Sequence, residues 1–121
     1  MEYRITPGRL EIGKFSLYYE RVGAGAPIVF LHGLGGNHLS WWQQVPYFMR
    51  SFECVTVDQR GFGLSPDPEG LFNREHASDL AALLDHLKID QASASARPFF
   101  QFPISAALRS MDRSSIARRF Q

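Results

Sequence analysis

Apolar and polar positions change their period several times along the chain, and each change marks an element. Leu10-Glu11-Ile12 alternates into Gly13-Lys14, and Phe15-Ser16-Leu17-Tyr18-Tyr19-Glu20 alternates out again, which predicts a hairpin over residues 10–22. Gly23-Ala24-Gly25-Ala26-Pro27 reads as a loop. Ile28-Val29-Phe30-Leu31 is apolar at every position, as in a parallel strand covered on both faces. Trp41, Trp42, Val45, Phe48 and Met49 then fall on one helical face, with Asn37 or Ser40 as its cap and Pro46 bending it or ending a first turn. Residues 52–57 form a second β-run. Ala77, Leu80, Ala81, Leu83, Leu84 and Leu87 make the stripe of a second helix, with Asn73 as N-cap. Hairpin, strand, helix, strand, helix is the order of an α/β open sheet.

The pattern fails after Asp90. Residues 91–103 contain Pro98 and Pro103, each of which removes a ladder donor, so no central strand is expected there. Residues 105–120 offer a short helix with Ile104, Leu108 and Met111 on one side, and the pattern weakens beyond Met111. Charge changes at the same place. Up to Ala96 there are eight basic and eleven acidic residues, a net of −3; from Arg97 onward five arginines face one acid, Asp112, a net of +4. The chain therefore divides into residues 1–90 and an Arg/Ser-rich tail, 91–121. A solvated or disordered tail is the expectation there, against a basic amphipathic contact with membrane or RNA. Truncation or out-of-frame translation of a GC-rich gene would produce such a shift.

With a formal net charge of only +1, nucleic acid and anionic membranes are not the expected partners. Cys54 is the single cysteine, placed in a strand-like run as a small buried hydrophobe, and no intramolecular disulfide is available to it. The first ten residues mix charge with Pro7 and Gly8 and do not read as a signal peptide. No run approaches the roughly 18 apolar residues of a membrane span. A cytoplasmic protein is the expectation.

The chemistry is concentrated where the apolar run breaks into His32-Gly33-Leu34-Gly35-Gly36. A strand stopping in such a turn can present a backbone N–H at the sheet edge. Further on stands Asp58-Gln59-Arg60-Gly61-Phe62-Gly63-Leu64-Ser65, for which a local ion pair or a hydrogen-bonded turn is expected from Asp58 and Arg60. Ser65 lacks the second glycine and following helix of a nucleophile and is expected to be a loop serine. Ser93 and Ser95 lack flanking glycines and a preceding apolar strand. His38, His76 and His86 show no metal spacing, so surface or cap roles are expected and no metal is assigned. The glycine turn lacks Gly-Lys-Ser/Thr, and no nucleotide or other cofactor is expected.

In order, spacing and motif, residues 10–90 resemble the N-terminal part of an α/β-hydrolase domain. The His-Gly turn, the Trp-rich helix with Pro46, and the Asp-x-Arg-Gly-x-Gly-x-Ser segment carry that resemblance. It implies a partial hydrolase sheet and a serine-type hydrolase of an ester, lactone or similar small carbonyl compound. It also implies that His32, Gly33 and Leu34 form the oxyanion and substrate-binding turn, with the Leu34 N–H as donor and His32 shaping the loop rather than acting as base. The Gly-x-Ser-x-Gly elbow of that family is nowhere in the 121 residues, and no catalytic residue is assigned. A truncated, inactive hydrolase whose nucleophile strand and C-terminal half are missing is the expectation. In that case residues 28–31 become an exposed sheet edge open to self-association. The alternative is a non-enzymatic interaction module using that edge.

Overall fold

The computed structural model describes residues 2–33, 35–70, 76–89, 92–96 and 106–111. Strand β1, Thr6–Ile12, turns at Gly13-Lys14 into β2, Phe15–Val22, with Ile12 opposite Phe15. The predicted hairpin is present and begins four residues earlier than the alternation shows, because Thr6 to Arg9 bury too little to leave a pattern. Next come β3, Ala26–Leu31; a 3-10 helix, His38–Trp41; α1, Val45–Phe48; and β4, Phe52–Asp58. Helix α2, His76–His86, is followed by β5, Ala92–Ala96, and β6, Ala106–Met111. The strands form one sheet in the order β1-β2-β4-β3-β5-β6. β4, β3 and β5 run parallel, while the two left-hand pairings and β5–β6 are antiparallel.

Period two sorts the core onto the two faces of this sheet. Phe15, Leu17, Tyr19, Val29, Leu31, Val55 and Val57 pack with Leu80, Leu83 and Leu84 of α2 and with Ile89. Val22, Ile28, Phe30 and Cys54 pack on the other face under Trp41, with Val45, Phe48, Met49 and Phe52 around them. Alternate residues of β3 thus enter different clusters, which is why that strand is apolar throughout. Burying a side chain such as Leu83 or Phe30 is worth about 1.5–3 kcal/mol, and such contacts hold the two layers to the sheet. The Cys54 thiol is buried, and desolvation followed by the Glu53 charge pushes its pKa up to about 11. It stays a protonated hydrophobe.

Helix α2 ends in a Schellman-type cap: Lys88 takes φ 58°, its N–H reaches the Asp85 carbonyl, and the Ile89 N–H reaches that of Leu84. Ile89 is thereby folded back onto the core. The stripe through Leu80, Leu83 and Leu84 is buried as its spacing predicts. The N-cap expected at Asn73 lies outside the described residues.

Four expectations are corrected. Residues 41–49 do not form one helix, since the 3-10 turn ends at Trp41 and α1 restarts with Pro46 in its first turn. The break in period sends Trp41 inward and leaves Trp42 70% exposed. Asn37 is the cap, accepting from the Leu39 N–H while Ser40 Oγ accepts from the Asn37 N–H, in a capping box. A strand also forms after Asp90: β5 lies parallel to β3, Ser93 opposite Ile28 and Ser95 opposite Phe30. β3 is therefore paired on both sides, and the exposed edge expected at residues 28–31 does not exist. Pro98 and Pro103, on which that expectation rested, lie outside the described residues. Finally, residues 106–111 of the expected helix are strand β6; the rest of that segment lies outside the described residues.

Candidate oxyanion turn

β3 and β4 are parallel neighbours, so the loops leaving their carboxyl ends meet above the sheet. The carboxyl ends of the strands are the side on which ligands bind in open α/β sheets. His32 sits at the end of β3 and is 3% exposed. The Gln59 backbone N–H, just past β4, donates to His32 Nε2 at 2.9 Å. A backbone amide can only donate, so Nε2 carries the lone pair and Nδ1 carries the proton. That Nδ1–H donates to the Gly33 carbonyl at 2.7 Å. The Gln59 side-chain amide returns a bond to the His32 carbonyl, and Phe62 stands edge-on to the ring. His32 is a neutral bracket between two loops. Its basic nitrogen is already engaged by the Gln59 N–H.

The Gly33 carbonyl also accepts the Gly36 N–H at 3.0 Å, closing a four-residue turn. Gly35 is the third residue of that turn and has φ 84°, a conformation that only glycine adopts without strain. Nothing crowds a Cβ at Gly35, so the penalty for alanine is conformational alone. Gly35→Ala is expected to cost about 1–2 kcal/mol, read as a lower urea midpoint, with the far-UV spectrum unchanged. Leu34, the expected donor residue, lies outside the described residues.

Asp58 ends β4 with 0% exposure and organises the second loop. Its Oδ1 accepts both the backbone N–H and the Nδ1–H of His38, the latter at 2.8 Å, and Oδ2 accepts the Leu64 N–H at 2.7 Å. Gly63, at φ 52°, lets that loop close, since a Cβ there would run into the Asp58 carboxyl group. Asp58 and Arg60 do not pair with each other, which corrects the ion-pair expectation; the hydrogen-bonded turn is present through Leu64. Arg60 instead turns under the sheet to a bidentate pair with Asp79 of α2, at 2.9 and 2.8 Å, over the Phe15 ring at 3.9 Å. Ser65 is fully buried and its Oγ accepts the Tyr18 N–H at 2.8 Å, which suits a loop serine.

The sequence reading missed His38, which was expected on the surface or in a cap. It is nearly buried, and its Nε2 lies 3.4 Å from Glu20 Oε2 on β2. The signal was topological: a loop residue seven past the end of β3 and the end of β4 can meet if those strands are parallel neighbours. His86 is exposed and edge-on to Tyr19. Nothing is described of the His76 side chain. Among the described residues no group of three or more His, Cys, Asp or Glu is arranged to hold a metal ion. No described helix is long and apolar enough to cross a membrane.

An open α/β sheet with a glycine turn at the end of β3 and an Asp-anchored loop at the end of β4 defines a hydrolase-type scaffold. The model of the alpha/beta hydrolase fold family matches residues 26–93, and the chain belongs to that family. It is 39% identical over 67 residues to 3-oxoadipate enol-lactonase 2 of Acinetobacter baylyi, covering 54% of this chain and 25% of that one. It is 32% identical over 92 residues to a soluble epoxide hydrolase of Corynebacterium sp., covering 75% and 32%. Among solved structures, Est816, described as an N-acyl homoserine lactone degrading enzyme, superposes with a TM-score of 0.67 at 38% identity, covering 72% of this chain and 34% of that one. The chain spans about a third or less of the length of the curated relatives it matches.

Proposed function

We propose that residues 1–90 are the N-terminal part of a serine-type hydrolase acting on an ester, lactone or similar small carbonyl substrate, and that they contribute half of its oxyanion hole. The observation that carries this reading is the double anchoring of the Gly33 carbonyl by His32 Nδ1–H and Gly36 N–H. In a trans peptide the C=O and the following N–H point in opposite directions. Fixing that carbonyl is therefore a means of aiming the amide donor of Leu34 at a substrate oxygen. A preorganised donor of this kind stabilises a tetrahedral oxyanion by about 3–4 kcal/mol. Two relatives described as a lactonase and as a lactone-degrading enzyme support a carbonyl substrate.

The second donor, the nucleophile and its acid and base belong to a Gly-x-Ser-x-Gly elbow and later strands. The 121 residues contain no such elbow, so the chain alone is proposed to be inactive. β5 occupies the place beside β3 without supplying one. The test is to translate the coding DNA from codon 85 onward in all three frames. An apolar strand followed by Gly-x-Ser-x-Gly supports the reading, and its absence from every frame overturns it. The purified chain is expected to hydrolyse an activated aryl ester no faster than its urea-unfolded control. Saturable turnover would overturn the assignment of inactivity.

A further inference from the structure

His38 stands between carboxylates from two different strands. Asp58 Oδ1 accepts both the His38 backbone N–H and the ring Nδ1, so Nδ1 must carry a proton. Nε2 is then left facing Glu20 Oε2 at 3.4 Å. That same oxygen accepts the Tyr18 hydroxyl at 2.6 Å. Burial and then the bond to Glu20 push the Tyr18 pKa up to about 12, so the hydroxyl keeps its proton and Glu20 remains the acceptor. With His38 neutral, a ring lone pair meets a carboxylate oxygen and nothing joins them. With Nε2 protonated, one imidazolium bridges Asp58 and Glu20. Among the described residues, the titratable and charged groups around it are Asp58 at the end of β4, Glu20 and Tyr18 on β2, and Arg9 of β1, whose guanidinium lies 5.2 Å from the Tyr18 ring centre.

We propose that His38 is a positioning residue that fastens β2 to the oxyanion turn when Nε2 is protonated and lets go when it is not. This deepens, and rests on, the reading of the turn as half an oxyanion hole. The mechanical link is short. Gly36 closes the turn on Gly33, Asn37 caps the following 3-10 helix, and His38 is its first residue. A shift of the ring toward Glu20 is carried through two peptide units to the Gly36 N–H, which holds the Gly33 carbonyl. The clasp is present at low pH and lost as pH rises through the titration of His38, because only the protonated ring has a second donor.

Imidazole and backbone 15N chemical shifts of the full chain, followed from about pH 5 to pH 8.5, where histidine charge changes, test this. The expected result is that His38 Nδ1 stays protonated throughout, Nε2 gains a proton on acidification, and the Gly36 and Asn37 amides move with the His38 midpoint. In Glu20→Ala the ring should still titrate while those amide movements are lost. His38→Gln identifies any residual movement that follows His32 instead. A buried role without a switch predicts flat Gly36 and Asn37 amides, and that result overturns the proposal. So does a bare Nδ1 in the neutral ring, or an undiminished response in Glu20→Ala. No readout depends on turnover, so failure of the clasp leaves the elbow test standing, and a missing elbow leaves the clasp measurable.

Discussion

Asp58→Ala is expected to lower the unfolding free energy by about 3–5 kcal/mol, the cost of removing one partner from a buried charged network. The carboxyl group is wholly buried and receives three donors: the His38 N–H, the His38 ring and the Leu64 N–H. Alanine leaves the Leu64 and His38 amides without that acceptor and the His38 ring without its fixed end. Domains of this size hold only about 5–15 kcal/mol in total, so the loss is a large part of the whole. Asp58→Asn keeps one acceptor oxygen but turns an NH2 group toward one of the three donors, so its cost should fall between wild type and alanine. Urea unfolding followed by tryptophan fluorescence measures both. A change below about 1 kcal/mol for alanine, within the range of an ordinary hydrogen bond, would show that the loop does not depend on this anchor.

The same residue shows which parts of the site the sequence made legible. Residues 28–31, apolar at every position, required a strand with a cover on each face, and β3 has both. The Asp58-to-Ser65 segment was legible as a turn because Gly61 and Gly63 permit it, yet which donors Asp58 would take was not. Its partners come from His38 and Leu64, 20 residues before it and six after it, and no local spacing encodes the first of these. Arg60 was misjudged for a related reason. A cation two residues from an acid suggests a local pair, but β4 ends at Asp58 and the chain turns before Arg60, so Asp79 on α2 takes the guanidinium. β5 was obscured by Ala and Ser, which carry little hydrophobic signal. Ala92-Ser93-Ala94-Ser95-Ala96 nevertheless alternates with period two, and its neighbour β3 supplies the pairing that its own composition does not advertise.

Breaking the Arg60–Asp79 pair is the second large expected effect. Both side chains are 5% exposed, and the two hydrogen bonds are parallel and short. Removing either partner leaves the other charge in a buried setting and is expected to cost about 3–5 kcal/mol. Arg60→Met and Asp79→Leu together should cost much less than either change alone, because the paired apolar groups leave no desolvated charge behind. Residual interactions separate the single variants. In Asp79→Leu the guanidinium keeps the face of Phe15, a contact worth about 2 kcal/mol when desolvated. In Arg60→Met the carboxylate keeps only its favourable place in the first turn of α2, worth about 0.3–1 kcal/mol. Arg60→Met is therefore expected to be the more damaging of the two. Because Arg60 lies in the loop that follows Gln59, the bracket of His32, the pair also ties α2 to the turn. Urea titrations of the two single variants and the double variant give the coupling directly. Additive losses would mean that the two charges act independently, and that α2 does not hold the loop through them.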